Sequence, residues 1–261
     1  MSFLSRGENV RSRPRVVLVA ALLFGLPSTG AAQSASQLGA WDALMLSPFG
    51  ALPPRVADSD VADRPKTEVL LRYGRWKYDI DDAAHNNFGL TLARELPFWS
   101  TEVALTGAYL SLQCGGCSNW MIAGLDVEST LWRQTFAPLA RGTVNATVGV
   151  RASVGGARNS GQETSHASSI ALAVPIGLGV ATGRHSYLDV AILPGVGTGE
   201  IAGADRAEGG TLPSLGAAVA WRLDSGLGIE LGVEKIFIGG GPSQLGVGLS
   251  WGLGGRGRDP H

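Results

Sequence analysis

The sequence lacks any apolar run long enough to cross a bilayer as a helix. Its most apolar run, residues 16–24, is far shorter than the roughly 20 residues that a spanning helix needs. Charge is scarce as well: 16% of the residues are charged, and the formal net charge of −1 provides no basic surface. A helical inner-membrane protein is therefore excluded, and nucleic acid is not an expected partner.

Cysteine and histidine are also rare, with two and four residues respectively. Cys114 and Cys117 are separated by two glycines and precede a predicted strand. A redox thiol pair needs a helix N-terminus to lower a thiol pKa, so a local disulfide that pins a surface loop is the better interpretation. The histidines show no metal-site spacing. We expect no metal site, no cofactor and no catalytic centre.

The two ends of the chain differ in character from its middle. Arg11, Arg13 and Arg15 precede the apolar run, and small residues follow it up to Ala32, which is typical of a secretory signal peptide at 1–32. Residues 33–65 contain four prolines and no strand-like alternation, and they predict an irregular linker or a plug. Residues 254–261 are predicted to form a flexible tail.

Between residues 66 and 253, apolar and small or polar residues alternate. In 245–253, for example, Leu, Val, Leu, Trp and Leu alternate with Gly, Gly, Ser and Gly. Strict alternation predicts strands, and runs of about ten residues match the 9–11 that a tilted strand needs to cross a bilayer. The pattern predicts ten strands, at 67–78, 87–96, 101–112, 119–132, 143–154, 170–180, 187–198, 215–223, 227–233 and 245–253.

The links between these strands also alternate. Long, polar or glycine-rich links at 79–86, 113–118, 155–167 and 199–210 are separated by links at 97–100, 133–141, 182–186 and 224–225, of which all but 133–141 are short. An even strand number with long loops on one rim and short turns on the other is typical of outer-membrane barrels. We predict an all-β fold, a closed antiparallel up-and-down transmembrane β-barrel with ten strands, or eight as the alternative. Pro175 and Pro194 predict bulges, because proline removes a ladder donor.

Two features favour a membrane barrel over a soluble secreted β protein. The polar face is rich in Gly and Ala and poor in ions, unlike a water-facing surface. Cations on the apolar face, such as Arg75 and Lys235, lie near strand ends, where they cost least. Aromatic residues also fall near strand ends, which predicts two girdles at the lipid–water boundaries: Trp99, Trp132, Tyr187, Trp221 and Trp251 at the periplasmic rim, and Tyr78, Phe88, Tyr109, Trp120 and Phe237 at the outer rim.

The signal peptide, the ten-residue alternations and the C-terminal hairpin ending at Trp251 resemble the small outer-membrane β-barrel proteins of diderm bacteria, the OmpA-like and opacity-protein-like group. The resemblance covers about 66–253. It implies signal-directed export to the outer membrane, insertion by the barrel-assembly machinery, and contact with outer-membrane lipids. It identifies no extracellular ligand.

Three functions follow from a small barrel: a structural or surface-interaction role with a plugged or narrow lumen, a narrow channel for small or apolar solutes, and an outer-membrane hydrolase. The hydrolase would use Asp81-Asp82 with His85 as an acid–base group, or Ser165 with His166 as half of a nucleophilic pair, but the sequence identifies no further catalytic partner for either group. Polar residues are common in surface loops, and this is the simpler interpretation of both groups. Within the lumen, Arg222 and Glu230 flank a tight turn and are predicted to form an ion pair.

Overall fold

In a computed structural model of the chain, ten stretches that together form the strands and their edges can be described. They comprise residues 67–77, 84–96, 100–112, 119–139, 142–159, 166–181, 186–202, 207–223, 225–237 and 243–253. Nowhere in these stretches is there a helix long and apolar enough to cross a membrane.

The described residues form eleven strand segments. Their bounds are β1 Thr67–Lys77, β2 Ala84–Leu96, β3 Thr101–Leu112, β4 Trp120–Leu139, β5 Gly142–Asn159, β6 His166–Ala173, β7 Ile176–Ala181, β8 Ser186–Ala202, β9 Ala207–Leu223, β10 Gly228–Ile236 and β11 Ser243–Leu253. Segments β6 and β7 both pair with β5 on one side and β8 on the other, so they are two parts of one strand.

The first and last strands close the sheet. β1 pairs with β11 along its whole length, from Thr67 opposite Leu253 to Lys77 opposite Ser243. Every other strand pairs antiparallel with its neighbours in sequence. The predicted ten-stranded closed up-and-down barrel is therefore confirmed. We call the end at which β1 begins and β11 ends the terminal rim, and the opposite end the distal rim.

The strand that contains Pro175 is interrupted without a bulge. The pairs Arg151–Ala173 and Val148–Ile176 have the same register offset, so no residue is inserted across the gap. The Gly149 N–H donates to the Pro175 carbonyl at 2.9 Å, and the Val174 N–H donates to the Pro194 carbonyl at 2.9 Å. The bulges predicted at both prolines are wrong, because each proline removes one donor while its carbonyl still accepts.

The register shifts lie instead between β4 and β5. One falls between Thr130 and Trp132, and another between Phe136 and Leu139, where β4 continues far beyond its predicted end. The predicted links 133–141 and 199–210 are largely strand, since pairing extends to Leu139–Gly142 in one hairpin and to Ala202–Ala207 in another. Backbone N–H and C=O groups need hydrogen-bond partners wherever they lie. The pairing of two strands can therefore continue beyond the stretch in which apolar and polar side chains alternate.

The two faces of the barrel are opposite in character to those of a soluble protein. Outward-facing apolar side chains are widely exposed, and Leu245 reaches 62%. Inward-facing side chains are buried although many are polar or charged, among them Arg72, Asp189 and Glu230. An apolar exterior around a polar interior is the arrangement of a barrel that spans a membrane.

The barrel interior as the candidate functional site

The inner wall combines ionic side chains with small residues. Because successive side chains of a strand point to opposite faces, the register at one position determines which side chains of that strand point into the barrel and which point outward. The inward positions of the described strands include these charged residues: Glu68, Arg72, Glu102, Asp126, Glu128, Arg133, Arg151, Asp189, Arg222, Glu230 and Glu234. Glycine, alanine and serine fill most of the remaining inward positions on β6 to β11.

Arg222 is the centre of a buried ionic cluster near the terminal rim. Its Nη1 donates to Asp189 Oδ2 at 2.8 Å, and its Nη2 donates to Glu230 Oε1 at 2.5 Å. Glu68 Oε1 lies 3.8 Å from its Nε. We call these four residues the Arg222 cluster. The structure thus brings together Arg222 and Glu230, the pair expected from the sequence, and adds two carboxylates from other strands.

The β9–β10 turn sets the geometry of this cluster. Gly226, with φ of 83°, adopts a left-handed conformation that glycine tolerates, and its N–H donates to the Leu223 carbonyl at 2.8 Å. Arg222 and Gly228 then pair directly across the two strands. A Cβ at Gly228 would lie 2.6 Å from Ser250 Oγ and 2.9 Å from Arg222 Cγ, so this glycine makes room for the arginine stem.

A second buried ion pair connects β4 and β5. Arg151 Nη2 lies 3.0 Å from Asp126 Oδ1, and its Nε donates to the same oxygen at 3.3 Å. Ser153 also donates its hydroxyl to Asp126. Both charged side chains are almost fully buried. Charge-assisted hydrogen bonds of this kind offset the cost of removing the charges from water.

Towards the distal rim the inner wall turns apolar. Leu110, Trp120, Ile122, Ala157 and Ala167 form one buried cluster across β3 to β6. Trp120 was expected in the outer aromatic girdle, and that prediction is wrong. It lies on the same face of β4 as Ile122 and Asp126, and its neighbour Met121 is the one that faces outward.

The other aromatic residues divide between the two faces. Tyr187 pairs with Arg222 and so lies on the inward face, contrary to its expected place in a girdle. Trp132 pairs with Val148 on the outward face. The remaining expected members are exposed: Trp221 and Trp251 near the terminal rim, and Phe88, Tyr109 and Phe237 near the distal rim. Trp99 and Tyr78 lie outside the described residues.

One aromatic pair on the outer wall was not expected. The rings of Tyr73 and Phe88 are 5.0 Å apart between centroids, on directly paired positions of β1 and β2. Tyr109 continues the same ladder on β3. The Tyr73 hydroxyl donates to Asn86 Oδ1 at 2.8 Å. The sequence signal for the outward position of Tyr73 was its place on β1, an even number of residues from the outward-facing Leu71 and Arg75.

The candidate catalytic and thiol residues are only partly described. His85 belongs to β2, pairs with Trp76 and is buried, so its predicted place in a surface loop is wrong. His166 is exposed at the start of β6. Asp81, Asp82, Ser165, Cys114 and Cys117 lie outside the described residues, and the Cys114–Cys117 disulfide stays a prediction. Among the side chains that can be placed, no group of three or more His, Cys, Asp or Glu could hold a metal ion.

Three solved structures illustrate what the chain is similar to. The attachment invasion locus protein Ail of Yersinia pestis is 13% identical, with 72% of this chain and 99% of that chain covered and a TM-score of 0.29. The N-terminal β-barrel domain of Pseudomonas aeruginosa OprF is 11% identical, with 72% of this chain and 100% of that chain covered and a TM-score of 0.28. The outer membrane enzyme PagL is 12% identical, with 71% of this chain and 99% of that chain covered and a TM-score of 0.32. No family model and no curated protein matches the chain.

Proposed function

We propose that this protein is an outer-membrane β-barrel with a closed interior, whose role is structural or lies in surface interaction. The observation that best supports this proposal is the burial of the inward-facing side chains at both ends of the barrel. Near the terminal rim, Glu230 and Ser250 have 0% exposure, and near the distal rim Trp76 and Leu110 have 1%. A water-filled lumen would leave such side chains partly exposed.

The size of the barrel supports the same proposal. Water-filled porin channels need about 16–18 strands, whereas barrels of about eight strands are filled by their own side chains. This barrel has ten, and the Arg222 cluster, the Arg151–Asp126 pair and the apolar cluster around Trp120 occupy its interior. An ion that crossed this interior would have to displace buried, hydrogen-bonded charges.

The membrane and the route of export are proposed from the exterior and the sequence. The apolar outer wall requires lipid, and the signal peptide at 1–32 would direct export, with the barrel-assembly machinery inserting the chain. The side chains of the loops at the distal rim would then meet an extracellular partner. We propose no enzymatic activity, since His85 packs inside the barrel beside Trp76.

Planar-bilayer recording tests the closed interior. We expect the purified full chain to give no steady conductance. Trp76→Ala combined with Leu110→Ala should open a leak, whereas the outward control Phe88→Ala should not. A leak that appears instead on deleting 33–65 would make that segment the plug. A large, steady, unselective conductance of the unaltered protein would contradict the closed interior.

A narrow conduit is the second candidate, and a specific observation favours it. The inward carboxylates Glu102, Glu128 and Glu234 are only half-buried, and Glu102 pairs directly with Glu128. Carboxylates along a passage attract cations. Small cation-selective events that decrease in Glu234→Gln would support this candidate over the closed barrel.

A further inference from the structure

The outward polar residues of each strand limit the length of wall that can contact hydrocarbon. On β2, Asn86 and Arg94 bound a run of outward apolar side chains, which are Phe88, Leu90 and Leu92. The two polar residues are eight residues apart, about 27 Å along the strand. Strands of membrane barrels are tilted by about 35–45°, so this length corresponds to about 20 Å along the barrel axis.

The neighbouring strand β1 has the same limits. Arg75 pairs directly with Asn86, and Thr67 pairs directly with Arg94. Between these two pairs, the described length of β1 has three outward side chains, all of them apolar or aromatic: Val69, Leu71 and Tyr73. We call the outer faces of β1 and β2 the short side of the barrel.

The aromatic contact on the short side marks its distal limit. The Tyr73 ring packs beside the Phe88 ring, with 5.0 Å between the centroids. The Tyr73 hydroxyl reaches the polar row above and donates to Asn86 Oδ1 at 2.8 Å. Because amphipathic rings prefer the lipid–water boundary, the hydrocarbon on the short side ends at the level of Asn86.

The opposite side of the barrel has a taller apolar surface. β8 and the strand formed by β6 and β7 lie five strands away from β2 and β1, respectively. Ser186 and Thr198 bound the outward apolar residues of β8 and are twelve residues apart, about 31 Å along the axis at the same tilt. These apolar residues are Leu188, Val190, Ile192, Pro194 and Val196. We call the outer faces of β6, β7 and β8 the tall side.

A bilayer of one thickness cannot match both sides. The tall side fits a hydrocarbon core of about 30 Å, whereas the short side is about 10 Å too short for it. A charged side chain is excluded from hydrocarbon whether or not a carboxylate lies beside it, because an ion pair also loses its water there. Arg75 and Arg94 therefore keep the boundary at their own levels, where a lipid-facing cation costs least.

We propose that the short side thins the bilayer to about 20 Å beside β1 and β2, while the tall side keeps the full thickness. The proposal rests on the proposed membrane location of the barrel, and its partner is the surrounding lipid. A bilayer adapts to a short apolar surface by local thinning, at a cost of a fraction of a kcal/mol per Å. The thinned lipid then lies beside the closure between β1 and β11.

The depth of two nitroxide labels in dioleoyl phosphatidylcholine vesicles tests the thinning. In the background Cys114→Ser/Cys117→Ser, one label is placed at Leu92→Cys on the short side and one at Val190→Cys on the tall side. Each position lies four residues from the terminal end of its strand, at Leu96 and Ser186. Depth is measured as the ratio of oxygen access to access of a water-soluble nickel complex.

Thinning predicts that the Leu92 label is the shallower one. It lies two residues from the polar limit at Arg94, whereas the Val190 label lies four residues from Ser186, so the depths should differ by about 5 Å. A bilayer of uniform thickness would place the two labels equally deep, and so would an Arg94 side chain that reaches the headgroups through a bilayer of full thickness. Equal depths, or a deeper Leu92 label, would overturn the proposal.

A matched pair of variants tests the cause. Arg94→Leu extends the outward apolar run of β2 to Leu96, so the Leu92 label should move about 5 Å deeper. Arg158→Leu removes an exposed outward cation of β5, away from the short side, and should leave that label in place. No change in Arg94→Leu, or an equal change in Arg158→Leu, would also overturn the proposal.

The same measurements separate the thinning from the membrane location itself. Gel mobility without boiling is recorded for each variant, to show that the compact barrel is present. High nickel access at both Leu92 and Val190 would show that the barrel is not in lipid, which overturns the membrane location together with the thinning. Low nickel access with equal depths keeps the membrane location and overturns the thinning alone.

Discussion

At the scale of single residues, Arg222 stabilises the terminal end of the interior. It forms hydrogen bonds with Asp189 and Glu230, and Glu68 lies beside it, so three carboxylates from three other strands share one cation. Arg72 lies on the same ladder as Glu230, with Gly248 between them. The cluster therefore joins β1, β8, β9 and β10 through charge as well as through the backbone ladder.

Replacement of Arg222 by Met should be strongly destabilising. It leaves Glu68, Asp189 and Glu230 buried without their shared cation, and breaking one partner of a buried ion pair costs about 3–5 kcal/mol. Urea unfolding of the barrel in lipid vesicles, followed by tryptophan fluorescence, measures the loss. Glu200→Gln, which alters an exposed carboxylate bonded to Ser168, is the control and should change stability by less than about 0.5 kcal/mol. Equal effects would contradict the role of Arg222.

Gly228 offers a second test at the same scale. Gly228→Ala places a methyl group 2.6 Å from Ser250 Oγ and 3.0 Å from the Trp221 carbonyl, so the loss should be about 1–3 kcal/mol. Gly107→Ala is the matched control, because nothing lies within 4 Å of a Cβ there. The same urea unfolding measures both. A Gly107 variant as unstable as the Gly228 variant would show that glycine content, and not this close approach, sets the stability.

The sequence predicted part of this residue-scale picture. Arg222 and Glu230 flank one turn, so their proximity follows from a single hairpin. Asp189 and Glu68 could not be added, because their approach depends on the β8–β9 register and on the closure between β1 and β11. Trp120 was predicted to lie in the outer girdle because it is near a strand end. It is six residues from Asp126 on β4, and this even spacing indicated that both side chains face inward.

At the scale of elements, alternation located the strands but not all of their ends. β1, β3 and β11 begin and end within about two residues of their predicted bounds. β4, β5, β8 and β9 are much longer than predicted. Alternation reports the part of a strand that faces lipid on one side. Beyond it, the backbone ladder of these two hairpins continues to Leu139–Gly142 between β4 and β5 and to Ala202–Ala207 between β8 and β9.

The closure between β1 and β11 can be tested by cross-linking. In a background of Cys114→Ser and Cys117→Ser, the pair Leu71→Cys and Leu249→Cys should form a disulfide on mild oxidation, because these outward positions are directly opposite. Leu71→Cys with Leu105→Cys is the control, since β2 lies between those strands. Mass spectrometry after digestion identifies the link. An open sheet would leave the first pair as unreactive as the second.

At the scale of the whole molecule, the barrel is a polar interior inside an apolar wall. The wall includes aromatic residues near both rims, such as Tyr73 and Trp251, and a groove of about 540 Å³ that is lined in part by Lys77 and Lys235. The fold class, the strand number and the membrane-facing pattern followed from composition and periodicity. The groove did not, because it depends on which residues of five strands lie side by side, and that depends on register.

The measurement that tests this arrangement most directly is a scan of β11 with a nitroxide spin label in lipid vesicles. Single cysteines at 244–250, in the background without Cys114 and Cys117, are labelled and examined for access to oxygen, which dissolves in lipid, and to a water-soluble nickel complex. The inside-out barrel predicts a period of two: high oxygen access at Leu245, Val247 and Leu249, and low access to both reagents at Gly246 and Ser250. High nickel access at Leu245, Val247 and Leu249, or no alternation at all, would contradict it.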